Sequence, residues 1–254
     1  MTNPSVPAHA LVRCMPRNTH GRDLLVGDVH GHATKLLAAL AEVGFDAAAG
    51  DRVFILGDLV DRGPESAEAL ALLERPGFFA VRGNHEDMLA GWVDGAVDAG
   101  HYRANGGAWA MDLPRAEALR LAAIGRALPV AIELETPAGL VGLVHAGCPM
   151  ANWTDFVAVL QGQSDDSHMG VMHCVSMALW SRARIDHMDD SLVDGVRAVV
   201  VGHTPVERPT SLGNTHFIDC GAWWGNPPRR PFVILDAATL APASAPSALQ
   251  WGAA

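Results

Sequence analysis

Six polar residues stand where short apolar runs of the chain stop. They are Asp28 and His30 in Gly27-Asp28-Val29-His30-Gly31, Asp58 in Gly57-Asp58-Leu59-Val60-Asp61-Arg62-Gly63, Asn84 in Gly83-Asn84-His85-Glu86, His145 in His145-Ala146-Gly147, and His203 in Gly202-His203-Thr204-Pro205. All are oxygen or nitrogen donors suited to Mn, Fe or Zn, with no thiolate to select copper or close a structural zinc site. Asp28 and His30 are separated by one residue, so both can turn toward one ion as the chain leaves a strand. Asp58 has two oxygens with which to bridge a pair of ions, and Asn84 adds a ligand without adding charge. His145 and His203 complete the second ion. Two ions about 3.5–4 Å apart can grip a phosphoryl group and lower the pKa of a bridging water. Gly27, Gly57, Gly83, Gly147 and Gly202 border these ligands, as expected where backbone turns sharply or approaches an ion closely. A single Gly-Asp pair is an ordinary turn and a single histidine is most often surface or core. Repetition at one strand end after another is what ordinary turn chemistry does not produce.

The elements that position these residues follow from the apolar pattern. Runs at 23–26, 52–56, 78–81, 140–144, 198–201 and 216–218 each lead into a polar cluster, the last being Asp219-Cys220-Gly221, and 232–235 is a further run without one. Leu36, Leu37, Leu40 and Val43 recur at helical spacing, and Pro64 leads Ala67, Leu70, Leu72 and Leu73. These are β-α-β units and predict an α/β fold, in which ligands sit outside the carboxyl ends of the strands. Residues 88–97 and 114–128 read as further helices, and 129–135 with 140–144 as two strands joined at Pro137-Ala138-Gly139. The expected organisation is a flexible N-terminal arm over 1–21, one catalytic domain over 22–240, and a flexible tail over 241–254. Residues 149–195, which lack a clear period before Met177, are expected to form a lid or insertion over the site.

With 254 residues, 49% of them hydrophobic, the chain can bury a substantial core. Asp+Glu 28 against Lys+Arg 18 gives a net charge of -10, and with no basic stripe a nucleic-acid partner is not expected. Cys14, Cys148, Cys174 and Cys220 are too dispersed for a zinc ribbon or a disulfide framework and suit a reducing compartment. Arg13 and Arg17 are not followed by a signal-like apolar run, and no stretch of about 18 apolar residues occurs. The expectation is a cytoplasmic protein without a membrane partner.

Taken together, these blocks resemble the signature of the phosphoprotein-phosphatase branch of the calcineurin-like metallophosphoesterases, over about residues 23–225 and most specifically in the first three. Leu179-Trp180-Ser181-Arg182 and the short chain resemble the bacterial and bacteriophage-lambda type of serine/threonine phosphatase. The resemblance implies a central β-sandwich flanked by helices, with a dinuclear metal site at strand ends. It also implies two divalent ions, Mn foremost with Fe or Zn as alternatives, and a phosphoprotein or phosphopeptide substrate. The implied reaction is hydrolysis of phosphoserine and phosphothreonine by direct attack of a metal-bridging hydroxide. It makes His85 the general acid and Asp61 its orienting partner. Arg62 and Arg182 then hold phosphate oxygens, in a phosphate site bordered by Asn84 and His85, with Arg184 as the alternative to Arg182. Symmetrical diadenosine tetraphosphatases share the Gly-Asp, Gly-Asn-His and His-Ala-Gly elements and give the rival activity. A non-catalytic metal-binding module, the third reading, has no use for a general acid. Cys220 stands where related sequences often carry Thr, and it reads with Cys148 as small buried packing. His101, His168, His173, His187 and His216 have no motif support.

Overall fold

Strands in this protein are three to six residues long, so burial on both faces, more than length, holds them. The computed structural model describes residues 10–163, 168–225 and 229–244, with the side chains of residues 168 and 169 left out of the description. A six-stranded sheet has the order β1 (Val12–Met15), β5 (Ala131–Thr136), β6 (Gly139–Val144), β7 (Ala198–Val201), β9 (Thr215–Phe217), β8 (Thr210–Leu212). A four-stranded sheet has the order β10 (Ile234–Asp236), β2 (Asp23–Val26), β3 (Arg52–Ile55), β4 (Phe78–Ala80). Strands β2, β3 and β4 run parallel, as do β6 and β7.

The period-two alternation of each strand divides the core into three layers. Leu25, Phe54, Leu143, Val200 and Ile218 fill the space between the sheets. Leu24, Val26, Val53 and Ile55 face the other way, onto α1 (Ala33–Glu42), α2 (Ser66–Ala71), α3 (Asn84–Asp94) and α6 (Arg115–Ala127), through Leu36, Leu70, Leu89 and Leu121. Val144, Val199 and Val201 meet α7 (Trp153–Leu160) and α8 (His168–Trp180) through Trp153, Phe156 and Ala178. A one-residue slip between β2 and β3, whose register pairs Leu25 with Phe54, would exchange the inner and outer sets. Two short helices, α4 (Ala99–Tyr102) and α5 (Ala108–Met111), and the turn between them contact the loop after β3 at Asp61 and Arg62, and α9 (Ala183–Asp186) follows α8. The α/β class and the helix-flanked sandwich are as the sequence implied.

Three expectations need correction. Part of the N-terminal arm is ordered: β1 pairs in parallel with β5, and Asn18 Nδ2 donates to Gly50 O at 2.9 Å and Asp23 Oδ1 at 3.1 Å. Residues 149–195 supply the helical layer over the larger sheet, tied back by the Asn152–Asp194 bridge, so they are part of the sandwich more than a lid. Among the described residues of that segment, Trp180 and Arg182 line the site. The tail begins by pairing, with Ala243 N–H donating to Ile234 O at 2.8 Å, and its continuation from residue 245 lies outside the described residues, as do residues 1–9. Among the described residues, no helix is long and apolar enough to cross a membrane.

Candidate metal centre and active site

The loops that leave β2, β3, β4, β6 and β7 converge, and their backbone is strained where they do. His30, Asp58, Asp61, Arg62 and His203 have φ between 43° and 71°, five of the seven non-glycine residues with positive φ among those described. Such conformations cost on the order of 1–3 kcal/mol each and persist only where surrounding contacts over-determine them. Buried Glu86 provides many of those contacts. Its carboxylate accepts from Gly83 N at 2.8 Å, Asp58 N at 2.9 Å, Leu59 N at 2.8 Å and Val60 N at 3.2 Å, tying the β3 and β4 loops together. Burial and the neighbouring Asp58 push the Glu86 pKa up to about 7. His30 N–H donates to Asp58 O at 2.8 Å, locking the β2 loop to the same unit. A Cβ on Gly83 would overlap Asp58 Oδ1, so that glycine is required for close approach. Gly147 has open space around its Cβ position and no such requirement, against the expectation from its motif.

Ring tautomers decide what the converging side chains can bind. His30 Nδ1 lies 2.9 Å from Val60 O and His145 Nδ1 lies 2.6 Å from Leu56 O, so each neutral ring spends its N–H on a carbonyl and presents a lone pair at Nε2. His203 Nε2 is 3.3 Å from Trp180 O, which leaves its lone pair at Nδ1. On one side His145 Nε2, His203 Nδ1, Asn84 Oδ1 and Asp58 Oδ1 meet at 2.8–3.3 Å. Acceptors packed this closely repel one another unless a cation or a proton lies among them. On the other side His30 Nε2 is 3.5 Å from Asp58 Oδ2 and 3.9 Å from Asp28 Oδ2. Asp28 Oδ2 is buried with no hydrogen-bond partner among the described residues, while Asp28 Oδ1 accepts from His203 N at 2.9 Å. Two groups with ligand atoms close enough to hold a metal ion share Asp58: His30, Asp58 and His85, and Asp58, His145 and His203. Asp28 borders the first through its unpartnered Oδ2 but is not within it, so at that ion the structure brings His85 nearer than the expected Asp28.

Electrostatics agree with that capacity. Burial, with Asp219 and Asp58 adding to it, drives the Asp28 pKa well above the usual carboxylate range. Burial opposes ionisation of Asp58 too, but His145, His85 and His30 outweigh it and hold the carboxyl well below that range. His145 is lowered by burial and raised more by Asp58, reaching about 9, whereas burial and His145 lower His203 to about 3. A bound cation would relieve both the crowding of carboxylates and the need for a protonated His145.

Beside the clusters lies a second constellation. His85 Nδ1 is 2.7 Å from Asp61 Oδ2, and Asp61 Oδ1 accepts from Tyr102 Oη at 2.9 Å and Trp109 Nε1 at 2.7 Å. Asp61 and His85 are both buried. Arg62 donates to His30 Nε2 at 2.8 Å and His85 Nε2 at 3.1 Å, with its guanidinium 4.2 Å above the Trp223 ring. A cavity of about 150 Å³ is lined by Asp58, Arg62, Asn84, His85, Asn105, Trp180, Arg182 and His203. Arg182 reaches it while donating to Thr204 Oγ1 at 3.2 Å and His203 O at 3.3 Å. Arg184 is turned away, donating to Asp189 O at 3.0 Å and Ser191 O at 2.7 Å.

All ten residues singled out from the sequence thus come together: Asp28, His30, Asp58, Asp61, Arg62, Asn84, His85, His145, Arg182 and His203. Sequence reasoning missed Glu86, Tyr102, Trp109, Asp219 and Trp223. Glu86 carried a signal, since it stands three residues after the Gly83 N-cap in capping-box position. Tyr102 and Trp109 lie 41 and 48 residues from Asp61, and no local pattern announces them.

A sandwich with two oxygen- and nitrogen-lined metal clusters at its strand ends, next to arginines and a buried His-Asp pair, defines a metallophosphoesterase. The sequence profile of the calcineurin-like phosphoesterases matches residues 22–207, and the chain belongs to that family of hydrolases. It is 33% identical over 205 residues to serine/threonine-protein phosphatase 1 of Salmonella typhimurium, covering 79% of this chain and 87% of that one. It is also 27% identical over 224 residues to the asymmetrical bis(5'-nucleosyl)-tetraphosphatase PrpE of Bacillus velezensis, covering 80% and 85%. The crystal structure of a candidate diadenosine tetraphosphatase has the same fold, with a TM-score of 0.61 at 22% identity over 91% of this chain and 95% of that one.

Proposed function

We propose that this metallophosphoesterase is a phosphomonoesterase that removes phosphate from phosphoserine and phosphothreonine in proteins. The buried His85–Asp61 pair, opening on a small cavity with Arg62 and Arg182, carries this reading. The alkoxide of serine or threonine leaves poorly without a proton, whereas the leaving group of a phosphate anhydride is already a stable anion. A buried acid is therefore of most use on an alkyl phosphate. The 33% identity to the Salmonella phosphatase supports the same side.

In this reading Asp28, His30 and Asp58 hold one divalent ion, and Asp58, Asn84, His145 and His203 the other. The donor set suits Mn, with Fe or Zn as alternatives. Bound there, the ions supply Lewis acidity toward phosphoryl oxygens and acidify water. Arg62 and Arg182 orient the non-bridging oxygens by in-plane donors, at a site bordered by Asn84 and His85. His85 delivers a proton from Nε2 to the leaving oxygen. Asp61, held by Tyr102 and Trp109, stabilises the imidazolium through Nδ1–H. A net charge of -10 disfavours nucleic acid, and four free cysteines suit the cytoplasm.

Hydrolysis of a dinucleoside polyphosphate is the second reading, favoured by the 27% identity to a tetraphosphatase. The kcat/KM values for a phosphothreonine peptide and for diadenosine tetraphosphate, with manganese supplied, separate the two. The peptide is expected to be the better substrate by at least about ten-fold. Cleavage of the dinucleotide alone refutes the phosphoprotein reading.

A further inference from the structure

Trp223 belongs to none of the motifs, yet it touches the site in two places. Its ring stands edge-on to His30 at 4.6 Å and lies under the Arg62 guanidinium at 4.2 Å. It is fixed from behind: Nε1–H donates to Asp219 Oδ2 at 3.4 Å, Asp219 Oδ1 accepts from Gly221 N at 2.8 Å, and Trp224 stacks on Trp223 at 5.4 Å.

Among the described residues, the side-chain hydrogen bonds of Arg62 go to His30 Nε2 and His85 Nε2. Neither is compatible with the proposed chemistry. His30 has one lone pair at Nε2, because Nδ1 serves Val60 O, and a cation bound by His30 takes it. A His85 that carries its proton on Nε2 has nothing there for Arg62 to donate to. What remains is the indole face. Stacking uses the face of the guanidinium and leaves its N–H donors, which lie in the plane, free for a phosphate.

We infer that Trp223 is the positioning residue of Arg62, holding the guanidinium at the cavity wall with its donors directed to the phosphate oxygens. This rests on the phosphate-holding role proposed for Arg62. It does not depend on which phosphoester is the natural substrate.

A double-mutant cycle between Trp223→Leu and Arg62→Ala tests it, with 4-nitrophenyl phosphate as substrate and inorganic phosphate as the calorimetric ligand. Trp223→Leu is expected to lower kcat/KM about ten-fold, mainly through KM, and to weaken phosphate binding by a similar factor. Trp223→Phe, which keeps a ring, restores activity to within about three-fold of the parent. In the Arg62→Ala background, Trp223→Leu adds less than about two-fold. Bound metal stays at the parental level in all of these, which separates the Arg62 contact from the His30 contact. An equal ten-fold loss in both backgrounds, unchanged phosphate affinity in Trp223→Leu, or loss of metal overturns the inference. Because 4-nitrophenyl phosphate contains no peptide, failure of the phosphoprotein reading leaves this outcome standing, and the converse holds.

Discussion

Replacing Asp61 by Asn exchanges one oxygen for an NH2 group and removes a charge from the partner of His85. Trp109 Nε1 can only donate, so the carboxamide oxygen must stay with Trp109 and Tyr102 and the NH2 must face His85 Nδ1. An N–H donor there requires Nδ1 to be an acceptor, which disfavours the imidazolium that gives up a proton at Nε2. Coulomb's law at an effective dielectric of about 20 bounds the loss near 6 kcal/mol for unit charges at the observed 2.7 Å. A hydrogen bond to a charged group is worth less, about 1.5–3 kcal/mol. That range corresponds to a fall of roughly ten- to hundred-fold in kcat where leaving-group protonation limits the rate. The assay compares kcat on a phosphothreonine peptide and on 4-nitrophenyl phosphate, whose phenolate leaves without help. The peptide reaction is expected to slow by that factor and the aryl reaction by less than about three-fold. An equal slowing of both substrates, or none, would refute the role given to Asp61.

Asp58→Asn weakens the one side chain common to both clusters, and elemental analysis is expected to show loss of both ions, not one. Arg182→Ala is expected to raise KM for the peptide about ten-fold, while Arg184→Ala, whose guanidinium faces a neighbouring loop, changes it by less than about two-fold; the reverse order would exchange their roles. Burial lifts the Cys148 and Cys220 thiols to about 11, so under about one in a thousand is thiolate near neutral pH. Burial and Glu133 raise the Cys14 thiol as well, but it is the exposed cysteine, and on that ground it is expected to react first with iodoacetamide, as peptide mapping by mass spectrometry would show.

The residues that gather at the candidate metal centre could be read from the chain because a parallel strand ending in a glycine and a polar group is a local pattern, repeated here at Gly27-Asp28, Gly57-Asp58, Gly83-Asn84 and Gly202-His203. The α/β class was readable for a related reason, since continuous apolar runs such as Leu24-Leu25-Val26 mark strands buried on both faces; the second sheet of the sandwich came only from the family resemblance. What escaped depends on distant partners. Val12-Arg13-Cys14-Met15 has no strand signature, and its pairing comes from Ala131 to Leu134 far along the chain. Helix α8 runs through His, Met and Ser without a clear period, yet Cys174, Ala178 and Leu179 are buried. Asp61 shows in its motif, but the Tyr102 and Trp109 that hold it arrive through α4, α5 and the irregular turn between them. Gly147 shows the opposite error, a motif glycine with no steric need behind it.

Anomalous diffraction from crystals grown with manganese tests the dinuclear centre most directly. Although His85 lies close enough to His30 and Asp58 to join their ion, the proposed reading expects two peaks about 3.5–4 Å apart and bridged by Asp58, one bound by Asp28 and His30 and the other by Asn84, His145 and His203, with His85 free of both. A single peak, or His85 as a ligand with Asp28 left out, would contradict it.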